Sequence, residues 1–348
     1  MSKRVIVFSI GAAASAIAFA CTAPYGENVT EPNETLPMRD DAGTDGETPI
    51  DPVKVDGATE DDATTPVTDG GTDAEKPIVP TCDRSKAFGN PVKVGGGVST
   101  ANDSESDARL GVDEKTIVFT SDRGTNPKRN RFWTAARVNA NADFGTATLL
   151  LEDPTEPVYD ATFGPSGLTV VFQAGGFSTP ARLRFAMRAS IVAPFTAAID
   201  LPGANGAGDE RDPSFTLDGK RLVFTRNAAG GNSDIFLATS LDQKSLMNVV
   251  PISELNSGSN DRDPVLTQEG LEIFFASDRQ AGGGKMRIFH ATRKTTAMPF
   301  GTPTALAELA GTLQYEAPTW TSPDGCVLYF SSDRAGASVD VYRAARPK

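Results

Sequence analysis

One pattern, met five times along this chain, limits its fold more than any other feature. Arg211 to Thr239 carries it in full. Asp212 to Thr216 alternates around a Pro that suits a strand start, and Leu217-Asp218-Gly219-Lys220 is a turn with Gly where a positive φ is needed. Arg221 to Thr225 is apolar and β-prone, Asn227 to Ser233 is a second turn rich in Gly and Asn, and Asp234 to Thr239 is a third strand.

The second strand and its turn recur as Thr116 to Arg123, Leu168 to Gly175, Glu272 to Arg279 and Val327 to Arg334. The third recurs as Arg131 to Ala136, Leu183 to Arg188, Arg287 to Thr292 and Asp340 to Ala345. By subtraction, the equivalent first-strand residues Leu110, Phe163, Phe215, Leu266 and Trp320 are 53, 52, 51 and 54 apart. That is close to the length of a propeller blade, about 40 to 50 residues. A fourth element, an apolar run opened by a bulky residue, begins at Phe88, Phe144, Phe195, Met247 and Phe300. The chain thus enters on a fourth strand and leaves on a third. The expected fold is all-β: a five-bladed β-propeller of four-stranded antiparallel blades over 81–348, closed by the N-terminal strand completing the last blade. Closure hides strand edges that would otherwise template aggregation.

The N-terminal part is of another kind. Lys3 and Arg4 precede an uncharged Ala- and Ile-rich run that ends Ala18-Phe19-Ala20-Cys21. Residues 1–21 read as a secretory leader whose end resembles a bacterial lipobox, with Cys21 the lipidated residue and an ordinary cut near Ala20 the alternative. Several acyl chains hold a protein at a bilayer, and no later stretch is long or apolar enough to span one. Residues 22–80 carry fifteen acidic residues against Arg39, Lys54 and Lys76, so nearly all of the formal net charge of −12 lies there. Such a segment cannot bury enough apolar surface to fold, and reads as a disordered acidic tether. Thr22 after the lipidated residue points to the outer membrane, facing the periplasm or the surface. The membrane is met through the lipid alone. An exported acidic chain is a poor partner for nucleic acid, and a monomer is expected.

Cys82 and Cys326 remain as an even pair in an exported protein. Cys82 precedes the entering fourth strand and Cys326 begins the second strand of the blade it completes. Second and fourth strands run the same way, so a disulfide there would lock the ring.

The run Asp212-Pro-Ser-Phe-Thr-Leu-Asp-Gly-Lys-Arg-Leu-Val-Phe, with Ser-Asp-Arg turns at 121–123, 277–279 and 332–334, resembles the Pro-Asp type of WD-like repeat of the TolB propeller family. It is also similar to repeats of exported bacterial lipoproteins. The resemblance covers about 88–348 and implies fold more than role. The family has six blades and an N-terminal α/β domain, where this chain has five and a tether. A Tol-Pal-like accessory role is one reading it implies.

Asp107, Asp160, Asp212 and Asp263 stand at matching positions before the first strand, with Glu316 beside Ala317 in the fifth repeat. They are expected at one mouth of the channel. Their functional reading is a cation site or a docking ring for a basic group, or an acid pair for glycoside hydrolysis. Their structural reading is hydrogen bonding within each repeat. Recurrence favours structure, because catalytic groups normally break a repeat's symmetry. The Ser-Asp-Arg turns are expected to serve the fold, with Arg123, Arg279 and Arg334 pairing between blades. His290 is the only histidine, so no Ser/His/Asp set or His/Cys cluster can be built, and no cofactor or metal is expected. A basic loop with Lys128, Arg129 and Arg131, beside Arg182 and Arg184, can form a patch between blades or simply be solvated. The expected function is a protein-binding or scaffold module of the cell envelope, with an envelope protein or a glycan as partner. A carbohydrate-active enzyme is the rival class.

Overall fold

The computed structural model describes residues 79–348 apart from 125–127, 177–178, 228–230, 241, 281–283, 314 and 337. The leader, Cys21 and the acidic segment up to residue 78 lie outside the described residues. What is described forms five antiparallel sheets of four strands. The first blade is Glu105–Leu110, Thr116–Ser121, Arg131–Ala136 and Thr148–Leu151; the second is Val158–Phe163, Thr169–Ala174, Arg182–Met187 and Ile199–Asp200. The third is Asp209–Phe215, Arg221–Asn227, Ser233–Thr239 and Met247–Pro251; the fourth is Asp261–Leu266, Glu272–Ser277, Arg287–Thr292 and Thr304–Ala305. The fifth takes Glu316–Thr321, Val327–Ser332 and Asp340–Ala345 from the C-terminal end and Val92–Lys93 from the start, with Val92 opposite Arg343 and Lys93 opposite Tyr342. The expected five-bladed propeller and its closure are therefore present.

The first strands touch one another in turn, the fifth meeting the first, and so line the channel. Second strands lie between neighbouring blades and are buried almost throughout, which is why they read as unbroken apolar runs. Outer strands are short and exposed. The core lies between blades, as where Val171, Leu183, Phe215, Leu222 and Phe224 cluster.

One latch recurs. An Arg just past the third strand stacks on the Phe that opens the fourth element: Arg137 on Phe144 at 4.6 Å, Arg188 on Phe195 at 4.7 Å, Arg293 on Phe300 at 4.3 Å and Arg346 on Phe88 at 4.4 Å. Each also donates to the carbonyl of the turn residue between strands one and two, Glu114, Gly167, Gly270 or Gly325. The third blade lacks the latch: Ser240 replaces the Arg, and the buried opening residue is Leu246, not Met247, which is exposed.

Closure is reinforced at one end of the fifth blade. Cys82 and Cys326 are disulfide-bonded, with Cα atoms 5.7 Å apart. Thr81 Oγ1 donates to Asp324 at 2.6 Å, and Arg84 and Arg346 both pair with Glu272 of the fourth blade, at 3.0 and 2.6 Å. Burial pushes the Glu272 carboxyl up, but His290 at 3.5 Å and the hydrogen bonds from Arg346 and Arg84 outweigh it and hold it at about 2. His290 itself stacks on Phe274.

Candidate functional site

Each of Asp107, Asp160, Asp212 and Asp263 sits at a break in the pairing of its first strand with the second. Their φ angles are 54°, 55°, 54° and 51°. These are β-bulges with a left-handed residue, and Asp is one of the few side chains that tolerates that region. The bulge turns all four buried side chains onto one mouth of the channel, where they line a cavity of about 340 Å³ with Tyr159, Tyr315 and Arg262. One carboxylate oxygen from each of Asp160, Asp212 and Asp263 lies within 4.8 Å of the other two.

Their bonds run both within a repeat, where Ser106 Oγ donates to Asp107 Oδ2 at 2.9 Å, and between blades. Asp263 N–H donates to Asp212 Oδ2 at 3.3 Å, Arg262 Nε stands 3.5 Å from the same oxygen, and Asp107 N–H donates to Ser331 Oγ of the fifth blade at 3.0 Å. Asp263 Oδ2 is buried with no hydrogen-bond partner.

Glu316 does not join the ring. The fifth blade is one residue shorter before its marker Trp320, so Glu316 pairs in register with Ser332 as Glu105 does with Ser121. It belongs with Glu105, Glu210 and Asp261, each of which meets an Arg of its own blade: Arg123 at 3.0 Å, Arg226 at 2.9 Å and Arg279 at 2.5 Å, with Arg334 at 3.3 Å from Glu316. Their ion pairs therefore lie within blades, while each also donates to a carbonyl of the segment that joins its blade to the preceding one, Val98, Ala204, Leu255 or Leu309, and each stacks on the Phe, Trp or Tyr of its second and third strands. Arg226 does this in the third blade without a Ser-Asp-Arg turn.

Each of the basic residues has a partner. Lys128 is 3.0 Å from Asp103, Arg131 is 3.5 Å from Glu152, Arg182 is 2.7 Å from Asp200 and Arg184 is 2.7 Å from Asp153. Arg129 donates to the carbonyls of Pro154 and Glu156. Acids and carbonyls distant in sequence answer all five.

Arg109 is a channel residue that the repeat pattern does not anticipate. Its column otherwise holds Thr162, Ser214, Val265 and Thr319. Buried in the channel, it donates to Ser214 Oγ of the third blade at 2.8 Å and to the Thr319 carbonyl of the fifth. It is a bolt across the ring, and the one odd residue in its column was the available signal.

Four carboxyl groups thus face the guanidiniums of Arg109 and Arg262, since Arg211 at the rim is taken by Asp209 at 2.6 Å. Burial, then the neighbouring carboxylates, raises Asp160 and Asp263 well above the usual range; Asp107 is raised by burial as well. Burial lowers Arg109, whereas the charge of Asp212 raises Arg262. Chemically, the mouth is a crowded set of oxygen donors whose full ionisation is resisted by burial and mutual repulsion, so a cation entering it would favour the charged forms.

The other ends of the same strands differ. Leu110, Phe163, Phe215, Leu266 and Trp320, three residues past each bulge or its counterpart, line an apolar cavity of about 440 Å³ with Arg109 among its walls.

No family model and no curated protein matches the chain. Among solved structures it is similar to an endo-arabinase from Bacteroides thetaiotaomicron, with 13% identity over 75% of this chain and 97% of that one and a TM-score of 0.51. An exo-β-1,3-galactanase from Clostridium thermocellum gives 11% identity over 73% and 61%, at 0.50. TolB from Acinetobacter baumannii gives 17% identity over 72% of this chain, at 0.45, and this chain spans 56% of that protein's length. At such identities the likeness shows the fold, and TolB structures stand among those similar to this propeller, as its repeats imply.

Proposed function

We propose that this chain is an exported, lipid-anchored propeller of the cell envelope that acts as a binding scaffold. Its ligand site is the acidic mouth, which receives a positively charged group of an envelope protein. The observation that carries this reading is Asp263 Oδ2, buried without a partner where three carboxylate oxygens converge within 4.8 Å. Leaving a buried acceptor unmade costs about 1–3 kcal/mol, and a cation entering there meets several carboxylates at once in a low dielectric. Glycoside hydrolysis, which uses two carboxyl groups about 5–5.5 Å or about 6.5–9.5 Å apart, is the rival reading. Export agrees with the leader and with the Cys82–Cys326 disulfide.

The test passes cross-linked, solubilised envelope over the immobilised, oxidised protein. One species should be retained by the wild type, displaced by millimolar spermine, and lost from the Asp160→Asn/Asp263→Asn double variant. A species held equally by that variant ends the reading.

A further inference from the structure

The apolar mouth, at the far end of the channel from the acids, presents a different chemistry. Its wall is the ring of Leu110, Phe163, Phe215, Leu266 and Trp320, and Arg109 lies among its lining residues. Arg109 Nη1 is used by Ser214 and Thr319, but its Nε is buried with no hydrogen-bond partner. Behind Arg109 stand the four carboxyls, which already answer its charge. An anion therefore gains little here, whereas a neutral acceptor satisfies the idle N–H.

The surroundings of this mouth decide the size of the occupant. Val112 lies in the turn between strands one and two of the first blade, and Val138, Ile191, Val192 and Met298 lie in loops between strands three and four. All open at this end, and Ile191 is 66% and Val192 91% exposed. Among the described residues, the loops of the opposite end expose Leu313 alone as a large apolar residue. A small molecule would fill the cavity and leave that rim uncovered; a polypeptide covers both. A bilayer is a poor fit, because Asp113 and Glu114 directly follow Val112 and charged groups insert unfavourably.

We propose that this mouth docks a segment of a partner protein, which inserts an apolar side chain carrying a neutral hydroxyl or carbonyl acceptor toward Arg109. The inference concerns a separate site from the acidic mouth, so either can fail alone.

A photoreactive residue placed at Ile191 of the full chain tests it in cells. One protein should be cross-linked through one short segment. The yield should fall about tenfold with Phe163→Ala or with Val112→Asp, and stay unchanged with Asp263→Asn. Val112 is exposed, so its variant keeps the test alive if Phe163→Ala does not fold. A lipid adduct, an adduct with a second copy of this chain, no adduct, or one that ignores both substitutions overturns the proposal.

Discussion

Replacing Cys82 and Cys326 together by Ser should lower the stability of the propeller by about 5 kcal/mol, read from the denaturant midpoint and slope together, the slope rising as the unfolded chain is freed to expand. The size follows from the loop that the bond closes, 244 residues in sequence, because a long loop removes the most freedom from the unfolded chain. The ring should nevertheless still close. Arg346 remains on Phe88 and Glu272, and Thr81 on Asp324, so the closing strand keeps its partners and loses only its tie. Hydrogen exchange should quicken first at Val92 to Val94, the strand that enters last-blade pairing from the N-terminal side. Equal midpoints for oxidised and Ser-substituted protein would contradict this.

Arg109→Met should cost about 4 kcal/mol at neutral pH, since removing one member of a buried charge set leaves the others unanswered. Here the others are Asp107, Asp160, Asp212 and Asp263, and the Met also gives up the bonds to Ser214 and Thr319 that brace three blades across the channel. The pH dependence has a definite sign. Asp160 and Asp263 are already raised above the usual carboxyl range, and without Arg109 they rise further. A carboxyl whose native pKa lies above its unfolded value favours folding as pH falls. The deficit of the variant should therefore shrink between neutral pH and about 5. A deficit that is constant across that range would assign the loss to packing alone.

The strands, the blade count and the closure were legible because each rests on a local signal: a period of two, turn glycines, and a repeat whose phase shows which strand is missing. The disulfide was legible for the same reason, since strand direction alone puts Cys82 and Cys326 at one end. Glu316 was not, because a single residue lost from the fifth first strand moves it into the column of Glu105 while leaving it adjacent to the Asp column in sequence. The bases at 128, 129, 131, 182 and 184 looked free because their partners, Asp103, Asp153 and Asp200 among them, lie elsewhere in the sequence. Arg109 and the apolar ring were in plain view, but only the fold shows that one column faces the channel axis and that its two ends form opposite mouths.

Whether the aspartates serve a ligand or the fold is decided most directly by thermal unfolding of Asp160→Asn and Asp263→Asn. Asn suits a left-handed bulge as well as Asp does, so the substitution removes the ionisable carboxyl and leaves the backbone alone. If the ring is kept for a cationic partner, its buried carboxyls are crowded and unanswered without one, and both variants should melt at or above the wild type, by about 3 °C. If both melt several degrees lower, the carboxylates hold the repeats together and the acidic mouth is not a binding site.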